Sequence, residues 1–317
     1  MTDASGAVGM LRADPDAFDA LRDATAERLG VDPGAVEKDY WATEVLRSAA
    51  RPQEGVDQVV FKGGTSLSKA HGIIERFSED IDLLVVTSLT GQPLKRLLRM
   101  IANGASAHLD VEHEREREGR GFLNARYRYP VRREVPFLTT GVLLEIGSRG
   151  GPAPNEHMPV RSLMSHAADQ IDPTAHDDYA DLAAFEVTVL AAERTLAEKL
   201  AFLHHRATVG DLDALTRGAR HLYDVAMLLG NDRVRDALAD GRIGELMIDI
   251  DARSHAAGWD FTPRPGTGFA ASPAFTDDSE IAAALRDGYT ALDDLVWGLL
   301  PSYDEAIDTV RSNRHLV

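Results

Sequence analysis

One stretch decides the predicted fold: Phe61-Lys62-Gly63-Gly64-Thr65-Ser66-Leu67-Ser68-Lys69. Before it, the apolar run Val59-Val60-Phe61 predicts a short buried strand. Two glycines then turn the chain, and hydroxyl residues open a predicted helix over 66–76. Glycines let the backbone approach a phosphate closely, and a helix N-terminus offers N–H donors with a partial positive charge. Lys62 or Lys69 adds a point charge. The stretch predicts a phosphate-binding turn, with a plain structural connection as the alternative.

A pair of aspartates follows on the next predicted strand, Asp80–Val86. Because strand side chains alternate, Asp80 and Asp82 point to the same side. Neighbouring carboxylates repel each other unless a cation lies between them. Mg²⁺ prefers oxygen ligands, commonly one or two carboxylates with substrate phosphates, and two such ions activate a hydroxyl and stabilise a leaving pyrophosphate. With the glycine turn upstream, the pair predicts a metal-dependent nucleotide site. The alternative is an exposed acidic strand start.

A third carboxylate is expected on a neighbouring strand. Glu145 is the candidate, because it interrupts the apolar run Val142–Ile146, which itself predicts a strand. A charge among apolar residues is costly to bury unless it is paired or binds metal. The alternative is a residue on the outward face of a half-buried strand.

The order of predicted elements gives a mixed α/β (α+β) chain. Its 317 residues suit one large or two moderate domains. Strand signals largely stop after Gly147–Asn155, so we expect an α/β domain over 1–172 and a helical domain over 173–317 that completes the nucleotide cleft. The predicted helices are Asp14–Leu29, 32–50, Leu94–Ala107, Leu182–His205, Gly218–Leu229, Ile281–Leu300 and Tyr303–Asn313.

Composition excludes several classes of protein. There are no cysteines, so disulfides, thiolate metal sites and cysteine nucleophiles are absent. No apolar run reaches the roughly 18 residues of a membrane helix, and Met1–Leu11 does not resemble a secretory signal, so we expect a cytoplasmic protein. The net charge of −17 repels nucleic acid at long range, so a nucleic-acid partner requires a local basic patch or bound cations. Solubility alone also explains an acidic total.

A basic segment offers such a patch. Seven arginines lie between Arg115 and Arg133, and Arg126 and Arg128 alternate with tyrosines at 127 and 129. On a strand the arginines share one face, where their forked guanidinium groups suit phosphates, and the tyrosines on the other face can stack on unpaired bases. Four glutamates over 112–118 support the alternative of a charged hairpin held by salt bridges.

Several sequence blocks, in order, resemble the AbiEii/AbiGii toxin family, which includes the MenT-type toxins. The resemblance covers nearly the whole chain and implies a polymerase-β-like nucleotidyltransferase domain followed by a mainly helical domain. The blocks are Glu37-Lys38-Asp39-Tyr40-Trp41, Phe61–Lys69, Ile74-Glu75-Arg76-Phe77-Ser78-Glu79-Asp80-Ile81-Asp82, Arg194-Thr195-Leu196-Ala197-Glu198-Lys199-Leu200, Arg220-His221-Leu222-Tyr223-Asp224-Val225 and Pro301-Ser302-Tyr303-Asp304-Glu305.

The resemblance implies several roles for matched residues. Asp80 and Asp82 would bind Mg²⁺ or Mn²⁺, Lys199 would contact nucleotide phosphates, and Asp224 would be the acid of the second domain. The expected nucleotide-binding residues are Lys62, Gly63, Gly64, Thr65, Ser66, Lys69, Ser78 and Lys199. The basic segment adds Arg126 and Arg128 as expected acceptor-binding residues, and Arg194, Arg220 and His221 of the matched blocks are expected to bind the acceptor as well. The substrate would be CTP or another NTP, and the acceptor would be the 3′ end of tRNA. The transfer would block translation. The protein would be a monomer, and its partner would be a cognate antitoxin.

The residues of the later blocks give partial support. Arg194 and Glu198 are four apart on a helix and can pair. Lys199 lies at the edge of a leucine stripe, where it either reaches a cleft or is simply solvated. Arg220 and Asp224 share a helix face, and a lone surface ion pair explains that equally well.

Three functions are therefore considered. The first is a Mg²⁺-dependent nucleotidyltransferase toxin acting on tRNA. The second is a protein that binds NTP or a partner without turnover, and the third transfers a nucleotide to a protein hydroxyl. Phosphorylation of Ser78, which lies beside the aspartate pair in sequence, would add like charge there and is one hypothesis for control by an antitoxin.

Overall fold

The computed structural model describes residues 8–78, 80–136, 138–276 and 280–317 of the chain. Glu79, part of one sequence block, lies outside them, as do the first seven residues of the segment inspected for a signal. The chain combines helices with a seven-stranded sheet, which confirms the predicted mixed α/β class. No helix in these ranges has the length and apolarity needed to cross a bilayer.

The sheet mixes parallel and antiparallel strands. Across it the strands lie in the order β3-β4-β5-β2-β1-β7-β6. β2 runs parallel to β5, whereas β4 runs antiparallel to both β3 and β5. In chain order the strands are β1 (Gln58–Lys62), β2 (Asp80–Val86), β3 (Glu112–Gly119), β4 (Phe122–Arg128), β5 (Val142–Gly147), β6 (Asn155–Val160) and β7 (Phe185–Leu190).

The helices follow the predicted ones in most places. They are α1 (Pro15–Leu29), α2 (Pro33–Ala49), α3 (Gly63–Lys69), α4 (Gly91–Leu109), α5 (Leu163–Ile171), α6 (Ala175–Asp178), α7 (Ala192–Val209), α8 (Leu212–Gly218), α9 (Arg220–Gly230), α10 (Asp232–Ala237), α11 (Arg242–Ala257), α12 (Glu280–Thr290) and α13 (Tyr303–Ser312). A side-chain cap begins each of the first two helices: Asp14 accepts from the backbone N–H of Ala17, and Asp32 accepts from that of Gly34.

Three predicted helices are wrong in part. The helix predicted over 182–205 begins only at Ala192, because Phe185–Leu190 forms β7. The helix predicted over 66–76 ends at Lys69, and the one over 281–300 ends at Thr290. The last two errors have one cause. Residues 75–77 and 295–297 pair with each other in extended form, through an antiparallel bridge between Arg76 and Val296.

The chain forms two compact units that interleave along the sequence. The first consists of Met1–Phe61, Glu79–Gly147 and His157–Thr188. The second consists of Lys62–Ser78, Ser148–Glu156 and Val189–Val317. Each unit thus draws on several stretches of sequence, and the domain division at 172/173 stays a prediction.

In the first unit, α2 carries the block Glu37–Trp41 and fastens the segment after β4. Glu37 is fully buried, and its carboxylate accepts the backbone N–H groups of Arg132 at 2.8 Å and Arg133 at 3.0 Å. Trp41 stacks on Tyr129, with ring centroids 5.4 Å apart and planes 12° apart. The block therefore orders the connection between β4 and β5.

The second unit is mainly helical and has its own apolar core. Leu196, Leu200 and Leu203 of α7 are fully buried in it, which confirms the predicted leucine stripe. Leu67 of α3 and Ile74 belong to the same core. The short helix after the glycine turn is therefore anchored by its apolar side chain to the helices of this unit.

Candidate active site

The three candidate metal ligands lie on one face of the sheet in the first unit. Asp80 and Asp82 are alternate residues of β2, and both are half-buried. Glu145, in the parallel neighbour β5, is the register partner of Asp82. Since paired residues of adjacent strands point to the same face, the two aspartates and Glu145 share it.

Glu145 has a neighbour that sequence reasoning did not identify. Asn124 of β4 is its register partner, is nearly buried, and donates a hydrogen bond from Nδ2 to Glu145 Oε1. On β5, Glu145 is half-buried between the buried Leu144 and Ile146. Glu145 therefore points away from the buried face of its strand, as the alternative of an outward-facing residue stated. That outward face is the one that also carries Asp80 and Asp82.

The chemistry of these donors fits a hard divalent cation. All three are carboxylates, which Mg²⁺ accepts together with phosphate oxygens of a substrate. Within residues 8–78, 80–136, 138–276 and 280–317, no three His, Asp or Glu side chains are close enough together to hold a metal ion by themselves. A cation bound by two carboxylates would need further oxygen ligands, and a nucleotide triphosphate supplies them.

The glycine turn lies in the second unit and begins α3. Gly63 takes a left-handed backbone conformation, with φ of 79°, which suits glycine. Ser66 is fully buried, and its hydroxyl donates to the Gly63 carbonyl at 2.8 Å. Thr65 is also buried, whereas Lys62, Lys69 and Ser78 are half-buried. The predicted hydroxyl contacts with phosphate would therefore require Ser66 to give up this turn-closing bond.

Gly64 is needed for a contact inside the protein. A Cβ at this position would lie 2.5 Å from Arg76 Nη2 and 3.3 Å from Ser78 Oγ. Arg76, which is 2% exposed, donates from Nε and Nη2 to the two carboxylate oxygens of Asp224 at 2.7 and 2.8 Å. Sequence reasoning assigned no role to Arg76. The glycine turn therefore packs directly against a buried ion pair.

Asp224 is shared by two cations. Lys199 Nζ lies 2.7 Å from Asp224 Oδ2 and 3.1 Å from His221 Nδ1. Burial raises the pKa of Asp224, but Arg76 and Lys199 outweigh it and hold that pKa below its ordinary value. The alternative of a lone surface ion pair is wrong, because Asp224 is fully buried. The alternative that Lys199 is simply solvated is also wrong, because this lysine is only 6% exposed.

His221 is neutral in this cluster. Burial lowers its pKa well below the ordinary value, and the neighbouring Lys199 adds to the effect. An ammonium group can only donate, so His221 Nδ1 accepts from Lys199 and the imidazole proton lies on Nε2. Burial lowers the pKa of Lys199, while the adjacent Asp224 favours its ammonium form. With that ammonium, the cluster of Arg76, Lys199, Asp224 and His221 carries one net positive charge, which suits an anionic ligand.

Two other predicted residues of the second unit have different surroundings. Arg194 is 1% exposed, pairs with Glu198 at 3.2 Å as predicted, and also reaches Asp249 at 2.6 Å and the Ala153 carbonyl at 3.1 Å. Arg220 is half-buried. Arg194 therefore fastens the connection over 148–156 to α7 and α11, and its predicted contact with the acceptor stays a prediction.

The basic segment forms a hairpin of β3 and β4. Arg126 pairs with Glu116, and Arg128 with Glu114 at 2.7 Å. Tyr127 is fully buried and donates to the Ala102 carbonyl at 2.8 Å. Because this tyrosine and Tyr129 are packed inside the first unit, the prediction that they stack on unpaired bases is wrong. Acceptor binding by the two arginines stays a prediction.

Comparison with known proteins defines the class to which this fold belongs. MenT4, a nucleotidyltransferase toxin from Mycobacterium tuberculosis H37Rv, matches with a TM-score of 0.53 at 20% identity, over 93% of this chain and 88% of that one. The two proteins share a fold. JHP933 from Helicobacter pylori matches with a TM-score of 0.38 at 13% identity, over 90% of this chain and 97% of that one. A nucleotidyltransferase of H. pylori described as putative matches with a TM-score of 0.33 at 17% identity, over 82% of this chain and 94% of that one. Both TM-scores are too low to establish a shared fold.

The family follows from the sequence. Residues 45–310 match the family described as "Nucleotidyl transferase AbiEii toxin, Type IV TA system". The chain belongs to this family, which confirms the resemblance noted in its sequence blocks and makes it a nucleotidyltransferase toxin whose system includes an antitoxin. No curated protein matches the chain.

Proposed function

We propose that this toxin transfers a nucleoside monophosphate from an NTP to the 3′ acceptor end of tRNA and thereby stops translation. The acceptor hydroxyl attacks the α-phosphorus, an O–P bond forms, and the bond to the β-phosphate breaks so that pyrophosphate leaves. We propose that Glu145 lies beside the attacking hydroxyl and accepts the proton of that hydroxyl. The reaction takes place in the cytoplasm, where tRNA is found, and the toxin acts as a monomer.

One observation carries the proposal: Asp80, Asp82 and Glu145 lie on one face of two paired strands, with Asp82 and Glu145 in register. We infer that these residues hold Mg²⁺ or Mn²⁺ together with phosphate oxygens of the nucleotide. When bound, the cation lowers the pKa of the attacking hydroxyl and neutralises charge on the leaving pyrophosphate. Asn124 orients Glu145 through its side-chain hydrogen bond.

Lys199 and the glycine turn are the proposed donors to the triphosphate. Lys199 and Arg76 are two buried cations that share one carboxylate, Asp224. The net positive charge favours an anion, and the low local dielectric strengthens the attraction. We propose that Lys199 donates to the β- and γ-phosphates, and that backbone N–H groups of the turn from Gly63 to Ser66 contribute further donors. Asp224 acts by holding the lysine in place.

Replacement of the aspartates tests the proposal. Purified wild-type protein is incubated with each α-³²P-labelled NTP in turn, with total RNA and Mg²⁺, and the label is followed in RNA and in protein. We expect label in the tRNA band with one preferred NTP. Asp80→Asn and Asp82→Asn keep the side-chain size, and each should reduce transfer by at least about 10³-fold, because the cation loses a charged ligand. Both should also relieve growth arrest on expression.

A matched control separates the site from a general loss of negative charge. Glu112 is an exposed acid at the start of β3, so Glu112→Gln should leave transfer unchanged. Full activity of Asp82→Asn would rule out the proposed metal ligands. Label in protein alone would instead identify transfer to a protein hydroxyl, and nucleotide binding without any label would identify a non-catalytic nucleotide-binding protein.

A further inference from the structure

The face that carries the carboxylates continues outwards over two more strands. β4 lies beside β5, and β3 lies beside β4 at the end of the strand order. Asn124 is the register partner of Glu145, and Arg117 is the register partner of Asn124. Paired residues point to the same face. Asp82, Glu145, Asn124 and Arg117 therefore form one row that runs from acidic to basic across four strands.

A second row runs beside the first. Leu143 is the register partner of Asp80, and Arg126 is the register partner of Leu143. The Arg126 guanidinium contacts Glu116 and donates to the Thr140 carbonyl at 3.3 Å. Its side chain is 22% exposed, and an ion pair near the surface contributes little to stability. An anionic ligand can therefore replace the glutamate at small cost.

A β-bulge decides which arginines of β3 belong to this face. The register passes from Arg115 opposite Ala125 to Arg117 opposite Asn124, which leaves Glu116 as an extra residue. Arg115 therefore points to the opposite face, where it lies 4.0 Å from Glu118. Arg117 points to the carboxylate face, where its guanidinium lies 5.9 Å from the Phe122 ring centroid. Both arginines are exposed.

We propose that the carboxylate face of β3 and β4 binds the single-stranded 3′ end of the acceptor RNA, with Arg117 and Arg126 on its phosphates. This inference rests on the proposed nucleotide transfer to RNA. The acceptor must bring its terminal hydroxyl to the carboxylates, and its preceding phosphates need cations nearby. Arg117 is two strands from Glu145, which is about 10 Å. Guanidinium forks match phosphate oxygens. In a chain of net charge −17, the arginines that share this face with the carboxylates are the groups that can meet RNA phosphates, although Glu112, Glu114 and Glu116 lie among them.

Charge reversal on the two faces of one strand tests the inference. The probe is a fluorescent RNA hairpin with a single-stranded 3′ end, and its Kd is measured by anisotropy without NTP. We expect Arg117→Glu and Arg126→Glu to raise the Kd by about tenfold or more, because each places an anion against a phosphate. Arg115→Glu makes the same charge change two residues away on the other face, and should change the Kd by less than about twofold.

The salt dependence gives a second readout that a folding defect does not mimic. Loss of one phosphate contact to a single strand lowers the slope of log Kd against log salt by about 0.7. Arg117→Gln should show this decrease, and Arg115→Gln should keep the wild-type slope. The KM for the NTP should be unchanged in all these variants. Circular dichroism checks the fold, and the neutral variants replace the glutamate variants if the latter unfold.

The outcomes separate this inference from the proposed function. Equal weakening by Arg115→Glu and Arg117→Glu would show a long-range charge effect and overturn the inference. A wild type that labels RNA while Arg117→Glu and Arg126→Glu keep the wild-type Kd would also overturn it, and would leave the proposed function standing. A wild type that labels no RNA overturns both.

Discussion

Gly64→Ala is expected to destabilise the protein, although alanine is ordinarily favoured over glycine in a helix by roughly 0.5–1 kcal/mol. The new Cβ would lie 2.5 Å from Arg76 Nη2, so the guanidinium must retreat by about 1 Å to reach an ordinary contact. That movement breaks the 2.8 Å hydrogen bond from Nη2 to Asp224. A hydrogen bond to a charged group contributes about 1.5–3 kcal/mol. After the helix-propensity gain, the expected net loss is about 1–2 kcal/mol.

Urea unfolding followed by fluorescence measures this loss, and a double-mutant cycle assigns its cause. Arg76→Lys keeps a positive charge but removes Nη2, so in that background Gly64→Ala should cost nothing or stabilise slightly. The matched control is Gly244→Ala in α11 of the same unit, where an added Cβ meets nothing within 4 Å and should stabilise. A Gly64→Ala loss that is equally large in both backgrounds, or no loss at all, would refute the reasoning.

Three further predictions concern titratable side chains. Asp224→Ala leaves Arg76 and Lys199 without their shared anion and should cost about 3–5 kcal/mol in urea unfolding. Lys199→Met leaves the arginine pair intact and should cost less, so the reverse order would contradict the assigned pairing. His221 has a lowered pKa, so the unfolded chain binds its proton first and stability falls as pH drops below about 6.5, by at most about 1.4 kcal/mol per pH unit. His221→Gln should flatten this part of the pH profile, and an unchanged slope would argue against a neutral histidine. Glu37→Gln keeps only one carbonyl oxygen for two backbone N–H donors. The Tm should fall by an amount equivalent to about 1–3 kcal/mol. An unchanged Tm would show that Glu37 does not order the segment after β4.

Local sequence patterns predicted β1, β2, β4, β5 and the longer helices other than α11, but failed where a neighbour in space decides. The strand β7 carries its own signal in Val187, Thr188 and Val189, which are β-branched residues. The helical pattern of α7 directly after it obscured that signal. The helices predicted past Lys69 and Thr290 end early because two distant extended segments pair with each other. No local pattern contains that pairing.

Part of the candidate site could be predicted from sequence, because local spacing determines some of its geometry and pairing between distant residues determines the rest. Asp80 and Asp82 are two residues apart on one strand, so their common side follows from sequence alone. The pairing of Arg76 with Asp224 joins residues 148 positions apart, and no spacing rule predicts it. Asn124 gives no signal in sequence, because its importance comes from its register with Glu145. Tyr127 alternates with arginines as a base-stacking residue would, but the same alternation turns it towards α4.

The single extra residue at Glu116 has a consequence for how relatives of this chain are compared. A homologue that lacks this one residue keeps Arg115 and Arg117 on opposite faces, because the pairing with β4 is unchanged. A homologue of equal length without the bulge instead turns the residues on one side of this position to the other face. Aligned position is then a poor guide to equivalence on this strand, and the residue opposite on β4 is the better one. Grafts or chimaeras that join this hairpin to another member should preserve its pairing with β4, since a shift of one residue would interchange the electrostatic character of the two surfaces.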